Sequence, residues 1–367
     1  MDHSLARNRR FLFDLNHPAD FHFFKNLFSY LGEKGYSYRL IARDKECLHE
    51  LLESEGIPFI SRGKGSHRLL GKYVYAGYNL LLTLIQLLLF RPGLTLSLSS
   101  PYLITASRIL RIPTLTYDDT DFNPRLLPLI KRADYIFSPV NYPHTFHEKH
   151  FHIQTYKELA YLLPLKSKNE GEGKSVFFRI TRTDSIHHSS ENRMELSAVL
   201  REINQISTEH TTLLSSEASI ADELSHRVLF PDRVNIHEDM KKCDVFWGNS
   251  ATMATEAVIM GLPAIFIGSE KFAYLKELEE NGLLYCFSPD QIEQSFRKLD
   301  DLLQQSPSDK QSEDSLVQLL EGKINITELI IWFIENLPES ADILSDEKAQ
   351  KLIPSIAQKP VIQEGST

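Results

Sequence analysis

The sequence predicts an α/β protein built from two doubly wound domains, each a parallel sheet covered by helices on both faces. Short apolar runs alternate with helical patterns in both halves of the chain, and this alternation is typical of parallel sheets. The 367 residues are enough for two domains of ordinary size. A content of 42% hydrophobic and 24% charged residues is that of a soluble globular protein.

The N-terminal domain is expected to span residues 10–164. Phe11–Leu15 is predicted to be its first strand, Asn16–Asp20 the turn after it, and the apolar residues from Phe21 to Leu31 recur at helical spacing. The other strands predicted here lie at residues 36–42, 57–60, 95–99, 113–117 and 135–140, and the other helices at 46–55, 69–90, 102–110 and 125–133. The strand at 135–140 is expected to be the last of this domain.

The C-terminal domain is expected to span residues 175–338, after a polar, glycine-containing linker at 165–174. Its predicted strands lie at residues 175–180, 211–215, 245–247 and 264–267, its helices at 194–207, 221–229, 274–281, 290–305 and 325–336, with a short extended segment at 234–237. The charged and polar composition of residues 339–367 predicts a mobile tail.

Composition narrows the classes of partner and compartment. A net charge of −9 argues against nucleic acid as the main partner. The three cysteines are too widely spaced for a zinc site or a disulfide framework, which fits a reducing cytoplasm. Four histidines lie between His144 and His152, but their spacing matches no known metal-ligand pattern, so we interpret them as a solvated loop and predict no metal site.

One apolar helix leaves two interpretations open. No signal peptide is visible, and the longest apolar stretch, Leu80–Phe90, is too short to span a bilayer. The helix predicted over Leu69–Phe90 is interpreted as a core helix. The alternative is an interfacial face beside the basic loop Ser61–Lys72, suited to a lipid-linked acceptor at the inner face of the membrane.

The most informative run, Cys243–Ile267, predicts a strand, a turn, a helix, a second turn and another strand. Ser250 is a good N-cap for the helix, and Gly261 can end it in the left-handed conformation. Thr252 and Glu256 lie four residues apart and therefore on one face of the helix. Met253, Ala257 and Met260 form the face expected to pack on the sheet.

This helix start is a candidate site for a nucleotide-activated sugar. Ser250, Thr252 and the amides of the first turn can bind a phosphate, helped by the helix dipole. The carboxylate of Glu256 would repel a phosphate but can accept hydrogen bonds from a ribose diol one turn further in. The other interpretation is an ordinary capped helix with a solvent-facing Glu256.

The same run resembles the donor-site segment of GT-B glycosyltransferases and of non-hydrolysing UDP-N-acetylglucosamine 2-epimerases. Those proteins carry Ser-Gly-Gly-x-x-Glu-Glu-Ala before Gly-x-Pro. Ser250 matches the Ser, Glu256 the second, ribose-binding Glu, and Gly261 and Pro263 the closing pair, whereas Ala251, Thr252 and Thr255 depart from the pattern. The run Asn249–Ala257 is similar to that of domain-of-unknown-function family 354, a glycosyltransferase-like group, as is the run Phe13–Asn26.

The resemblance implies a GT-B-like fold, with two Rossmann-like domains that face each other across a cleft and a terminal helix that crosses back to the first domain. It implies a nucleotide-sugar substrate, UDP-linked in our interpretation, and no separate cofactor. The loops expected at the cleft contribute Arg179, Arg182 and Ser216 to donor binding. The oligomeric state is left open.

His17 is the candidate general base, because it directly follows the first strand and an unperturbed histidine titrates near neutral pH. The alternative is that His17 only caps or braces the turn. Asp20 has two interpretations as well, a site residue or the N-cap of the next helix. Asp119, in the acidic loop Asp118–Asp121, is the next candidate base, and in the 2-epimerases carboxylates of a similar loop act as acid and base.

The expected function is therefore a cytoplasmic, metal-independent glycosyltransferase of cell-surface polysaccharide synthesis. The alternatives are a sugar-nucleotide epimerase or hydrolase, and a non-catalytic sugar-nucleotide-binding protein on the same fold.

Overall fold

Two parallel β-sheets organise the part of the chain that the structure describes. The structure is a computed structural model that describes residues 8–66, 68–119, 126–162, 174–181, 196–217, 224, 226–269, 272–304 and 310–346. The chain divides into unit 1, residues 1–161 and 322–360, and unit 2, residues 162–321 and 361–367. The linker expected at residues 165–174 lies outside the described residues except for Lys174.

Unit 1 contains a sheet of seven described strands. They are β1 Arg10–Leu15, β2 Ser37–Ala42, β3 Phe59–Ser61, β4 Leu94–Leu98, β5 Thr114–Tyr117, β6 Tyr135–Pro139 and β7 His150–Ile153. The spatial order is β3-β2-β1-β4-β5-β6-β7, and all neighbours are parallel. The strand order therefore reverses between β1 and β4, as in a Rossmann-type sheet.

Unit 2 repeats this arrangement with six described strands. They are β8 Ser175–Ile180, β9 Thr211–Ser216, β10 Val228–Leu229, β11 Val245–Gly248, β12 Ala264–Ile267 and β13 Leu284–Phe287. Their order, β10-β9-β8-β11-β12-β13, reverses between β8 and β11. In the core beneath this sheet, Trp247 is fully buried, stacks on Phe296 and donates a 3.1 Å hydrogen bond to Ser295.

Helices cover both sheets. In chain order they are α1 Pro18–Glu33, α2 Leu48–Ser54, α3 Leu69–Phe90, α4 Pro101–Leu110, α5 Leu127–Ile130, α6 Leu196–Ile206, α7 Ile236–Met240, α8 Ala251–Ile259, α9 Ala273–Glu280, α10 Ile292–Gln304, α11 Lys310–Leu320, α12 Ile326–Glu335 and α13 Glu339–Ser345. The C-terminal helix α12 returns to unit 1, where it packs on α1 and on the 3-10 helix Lys157–Ala160. Arg9 ties its end to β1 by donating hydrogen bonds to the Ile334 and Glu335 carbonyls.

The prediction that the N-terminal sheet ends at residues 135–140 is wrong, because β7 follows β6. The histidines interpreted as a solvated loop lie partly in this strand. His150 is buried and 2.9 Å from the Ser138 hydroxyl, and its ring stacks on His152. Burial and the neighbouring histidines lower the pKa of His150 to about 3, so the ring is neutral and packs as an uncharged core residue.

Three predictions for the C-terminal part also need correction. Residues 234–237, predicted to be extended, lead into the helix α7, and Val228–Leu229, predicted to be helical, is an edge strand. The strand β13 was not foreseen. Part of the expected mobile tail forms α13, whose Ala341 and Leu344 are buried against unit 1. Tertiary packing overrides local propensity for such short segments.

Candidate functional site

The two reversals of strand order mark the candidate site. In doubly wound sheets, ligands bind outside the carboxyl ends of the strands at the point where the order reverses. In unit 1 this point lies after β1 and β4, and in unit 2 after β8 and β11. Both points carry polar side chains that the sequence singled out, and we describe each unit by itself.

A buried ion pair lies at the point in unit 1 where the strand order reverses. Asp14, near the end of β1, is fully buried, and its Oδ2 is 3.0 Å from Nη1 of the equally buried Arg62. Ser100 donates to the same oxygen, and Arg62 also donates to Asn16. Burial raises the pKa of the Asp14 carboxyl, while Arg62 and Ser100 act in the opposite direction. Sequence reasoning missed this pair, although an acid within the apolar run of β1 was the available signal.

His17 is held at both ring nitrogens. It is the N-cap of α1, with extended backbone, and its Nδ1 accepts a 3.2 Å hydrogen bond from the Ala19 amide. A backbone amide only donates, so in the neutral ring the proton lies on Nε2, which is 3.1 Å from Oε1 of Glu46. The arrangement fits the bracing interpretation, because base catalysis by Nε2 would require the ring to leave both Glu46 and the Ala19 amide and to carry its proton on Nδ1.

Glu46 is the acid that orients His17. Burial favours its neutral form, but the hydrogen bond and charge of His17, with the charge of Lys45 at 3.2 Å, outweigh burial and lower the pKa of Glu46 to about 2. Glu46 also has a left-handed backbone, with φ of 51°. Ser99, at the end of β4, has φ of 52°. Such residues cost about 1–3 kcal/mol each and cluster at functional sites.

Asp20 is not the N-cap of α1, since His17 occupies that position. It lies in the first turn instead, and its Oδ2 accepts the Asn16 amide at 2.6 Å. Because Asp20 is only 4% exposed, burial raises its pKa to about 6, against the hydrogen bond from Asn16 and the charge of His17. A carboxyl that titrates near neutral pH is a property of general acids and bases.

The acidic loop after β5 is described as far as Asp119. Asp118 is buried and accepts hydrogen bonds from the Ser99 hydroxyl, at 2.8 Å, and from Tyr142. Asp119 is 2.7 Å from the ammonium of Lys157, which begins the 3-10 helix beneath α12. The rest of the loop, including Asp121, lies outside the described residues.

In unit 2, Arg179 lies near the end of β8, and its side chain is bonded to residues in and just after the neighbouring strand β9. Its guanidinium donates to the Ser215 hydroxyl at 2.8 Å and to Glu217 at 2.6 Å. Ser216 is the last residue of β9 and is half-buried. Arg182, the other arginine predicted to bind the donor, lies outside the described residues.

The ends of β8 and β11 are tied together across the reversal point. The Asn249 side chain accepts the Thr181 amide at 2.7 Å and donates to the Thr181 carbonyl at 3.3 Å. Gly248 makes this approach possible, because a Cβ there would lie 2.6 Å from the Arg179 carbonyl oxygen. The start of α8 is therefore fixed directly beside Arg179 in the sheet.

The helix α8 has the caps that the sequence predicts. Ser250 accepts the Met253 amide at 3.4 Å, and Gly261 follows the helix with φ of 87°. Amides of a first helical turn have no acceptor within the helix and attract anions. Ser250 and Thr252, both half-buried, stand at this end.

Glu256 does not face solvent, which corrects one of its two interpretations. It is 4% exposed, and its Oε1 is 3.3 Å from Nε2 of His237 in the short helix α7. Sequence reasoning missed His237 because residues 234–237 were predicted to be extended. The available signal was Asn235 followed three residues later by Glu238, the spacing of a helix start.

The two sheets together match a known architecture. Two parallel, doubly wound sheets in one chain match the GT-B-like architecture of sugar-nucleotide epimerases and glycosyltransferases. No protein-family model matches the chain, which leaves the resemblance to family 354 without support from that comparison, and none of the curated proteins matches it.

Solved structures provide the particular likenesses. The MnaA protein of S. aureus, in a co-structure with UDP, is 12% identical with a TM-score of 0.63, over 96% of this chain and 99% of that one. The UDP-GlcNAc 2-epimerase of Methanocaldococcus jannaschii, in complex with UDP-GlcNAc and UDP, is 13% identical with a TM-score of 0.59, over 85% and 99%. The spinosyn rhamnosyltransferase SpnG, complexed with spinosyn aglycone, is 14% identical with a TM-score of 0.60, over 89% and 100%. At such identities the likeness establishes the fold.

Proposed function

We propose that the chain is a glycosyltransferase that uses a nucleotide-activated sugar, with the donor bound by unit 2. The observation that carries the proposal is the geometry of α8. A capped helix start stands at the reversal point of the sheet, and a buried carboxylate, Glu256, lies further along the same helix. The solved structures that contain UDP or UDP-GlcNAc, which share the fold, support the same choice of ligand class.

The donor groups fit this helix by charge. A diphosphate at the first turn of α8 would accept hydrogen bonds from the amides and from Ser250 and Thr252. Glu256, held by His237, would accept hydrogen bonds from the two ribose hydroxyls. A buried carboxylate repels a phosphate but suits a diol, so the order of groups along the helix follows the order in a nucleoside diphosphate.

Arginine supplies the remaining positive charge. Arg179 is fixed by Ser215 and Glu217 at the end of β8, so its guanidinium is already oriented at the reversal point. We propose that Arg179, with Arg182 and Ser216, stabilises the leaving diphosphate. Guanidinium groups bind phosphate through paired N–H donors, and no metal ion is needed for this role.

In the transfer step, the acceptor hydroxyl oxygen attacks the anomeric carbon and the bond from that carbon to the diphosphate breaks. The leaving nucleoside diphosphate keeps the electron pair, and the acceptor proton passes to a base. His17 and Asp119 are the proposed bases in unit 1. Asp20 joins them because the pKa of its carboxyl lies near neutrality.

A second candidate function is sugar-nucleotide epimerisation or hydrolysis. It is favoured by the neighbouring acids Asp118 and Asp119, the second of which is paired with Lys157. Both reactions would proceed without an acceptor.

Cell-surface polysaccharide synthesis remains the pathway class that we propose for the transferase.

The test is a thermal-shift screen against UDP-, GDP-, dTDP- and CMP-linked sugars, followed by product analysis. A donor at about 100 times its dissociation constant should add about 2.7 kcal/mol of stability. No shift with any of these sugars would contradict the proposal. A shift together with epimerised or hydrolysed sugar in the absence of acceptor would establish the second candidate instead.

A further inference from the structure

Helix α3 has its apolar side chains on the outside, contrary to the core-helix interpretation. Nine of the fourteen large apolar side chains that are exposed among the described residues belong to α3. Leu70 is 77% exposed and Leu89 is 69% exposed. The exposed positions are Leu69, Leu70, Tyr73, Val74, Tyr78, Leu81, Ile85, Leu88 and Leu89, which recur at helical spacing and form one face, called here the outer face.

The inner side of α3 is partly polar. Asn79 and Thr83 are fully buried, and each donates a 2.7 Å hydrogen bond to the carbonyl one turn earlier. Leu87 and Phe90 complete the inner side and pack with α4 residues such as Leu103. More large apolar side chains of α3 are exposed than are buried, which is the reverse of an ordinary surface helix. A contiguous apolar face of this kind marks an interaction site.

The sequence around α3 contains basic residues but no acidic ones. From Gly56 to Tyr117 there is no Asp or Glu, although the whole chain contains 49 and has a net charge of −9. The same segment holds seven Lys and Arg residues, of which six are exposed: Lys64, Arg68, Lys72, Arg91, Arg108 and Arg111. Lys64 to Lys72 lie at the start of the helix, Arg91 at its end, and Arg108 and Arg111 on or just after α4, which packs beside it.

We propose that the outer face of α3 binds an anionic lipid surface, with the helix lying in the plane of the membrane. An apolar face bordered by cations is complementary to lipid tails below anionic headgroups. A protein partner would match the apolar face but gives no reason for a segment of 62 residues without an acid.

The helix is long and apolar enough to cross a bilayer by length and composition, with 22 residues and a mean hydropathy of 1.5, which corrects the expectation from Leu80–Phe90 alone. A span would need lipid on all sides. The inner side of α3 is instead packed into unit 1 through Asn79, Thr83, Leu87 and Phe90. The fold therefore favours a helix whose inner side packs on unit 1 and whose outer face lies in the membrane–water interface.

The lipid surface would lie beside the unit 1 cluster. Tyr75, in the second turn of α3, donates to the Gly63 carbonyl at 3.3 Å, directly after the buried Arg62. Its ring also contacts Tyr102, which lies 5.2 Å from the Arg62 guanidinium. An acceptor with a lipid tail would reach this cluster from the membrane. That extension rests on the proposed function, whereas lipid binding itself does not.

Vesicle sedimentation of the full chain tests lipid binding without any donor or acceptor. The protein should sediment with vesicles that contain phosphatidylglycerol and phosphatidylcholine, and weakly or not at all with phosphatidylcholine alone or in high salt. Leu81→Gln with Leu88→Gln, in the middle of the outer face, should weaken binding about a hundredfold. Val317→Gln, an exposed apolar residue of unit 2, is the matched control and should bind like the wild type.

The Lys and Arg residues that border the outer face of α3 are tested separately. Replacing Lys64, Arg68 and Lys72 together by Gln should weaken binding to the anionic vesicles about a hundredfold, at about a fivefold loss per charge. The control variant with Lys242, Lys276 and Arg297 of unit 2 replaced by Gln makes the same change in net charge and should retain binding. Melting temperatures of all variants report on folding.

Two results would overturn the proposal. One is wild-type protein that stays in the supernatant with both kinds of vesicle, whatever its enzymatic activity. The other is a wild-type dimer in size-exclusion chromatography that Leu81→Gln with Leu88→Gln converts to a monomer, since a second copy of the chain would then cover the face. Lack of donor binding in the thermal-shift screen, with lipid binding intact, would contradict only the proposed function.

Discussion

The two units have the same strand order but place different chemistry at the point where it reverses. In unit 1 the buried pair Asp14–Arg62 is linked through Asn16 to a second buried acid, Asp20. In unit 2 the same point carries the start of α8, an arginine near the carboxyl end of the central strand β8 and one buried acid further along α8. The comparison teaches that the sheet decides where a site lies, while the residues at the strand ends decide what it binds.

The difference suggests a division of labour. In unit 1, Glu46 is paired with His17 and Ser99 is hydrogen-bonded to Thr116 and Asp118, while the pKa of the Asp20 carboxyl is raised to about 6, a value suited to proton transfer. Unit 2 presents backbone amides and a guanidinium, which suit an anionic ligand.

The largest effect is expected for Arg62→Met. Removing Arg62 leaves the Asp14 carboxylate buried without its ion partner, which typically costs about 3–5 kcal/mol. Arg179→Met in unit 2 should cost only about 1 kcal/mol of stability but should weaken donor binding. Urea unfolding of both variants measures the difference, with Lys64→Met as an exposed control. Equal losses would show that the two arginines have the same role.

The next largest effect is the pH dependence conferred by Asp20. Its pKa is raised from 3.8 to about 6 on folding, so the folded state binds the proton more tightly and the charged carboxylate destabilises the fold above that pH. Asp20→Asn should therefore gain about 2–3 kcal/mol relative to the wild type at pH 7.5 compared with pH 4, measured by urea unfolding. A constant difference between the two proteins at both pH values would contradict the shift.

The pH dependence of stability expected from Glu46 has the opposite sign to that expected from Asp20. Its pKa is lowered from 4.5 to about 2, so its contribution to stability is present above about pH 4.5 and is lost as the pH falls towards 2. Glu46→Gln should lower stability more at neutral pH than at pH 2–3. The two variants together separate burial from ion pairing within one cluster.

Substitutions of His17 test whether its imidazole acts as a general base or only braces the turn before α1. If His17 is the base, His17→Ala should lower turnover about 10²-fold and leave donor affinity nearly unchanged. His17→Asn is the matched control, because asparagine is a good N-cap but has no imidazole. A brace predicts a stability loss of about 1 kcal/mol in His17→Ala that His17→Asn restores, with turnover per folded molecule unchanged.

Glu256→Gln tests the ribose contact of unit 2. The change removes a charged acceptor and its pair with His237, and should weaken donor binding by roughly 1–3 kcal/mol in calorimetry. Glu280→Gln, an exposed glutamate of the same unit, should bind the donor like the wild type. Unchanged affinity in Glu256→Gln would show that Glu256 only supports α7 through His237.

The smallest expected effect is that of chelation. Arginine and the helix start can carry the phosphate charge, so donor binding and turnover should survive EDTA. Loss of activity that a single divalent ion restores would contradict this prediction and would point to the acids Asp118 and Asp119 as ligands.

Local sequence patterns were enough to predict the two parallel sheets and the start of α8. The alternation of apolar runs and helical patterns predicted parallel sheets, and Ser250 and Gly261 marked both ends of one helix correctly. These features are local: a hydrophobic period, a cap and a left-handed glycine are each set within a few residues. The same patterns predicted β1, β4, β8 and β11 as strands, whereas their order in the two sheets comes from the structure.

Tertiary structure alone decided which side chains meet. Arg62 reaches Asp14 across 48 residues, and Lys157 reaches Asp119 across 38, distances along the chain at which no local pattern indicates a partner. The helix α3 is the clearest case, because its length was predicted correctly but the sequence left open whether its apolar side chains are buried or form an exposed face. Nine apolar side chains face outward since Asn79 and Thr83 occupy the inner side, and only the packed fold shows which side of a nearly all-apolar helix is buried.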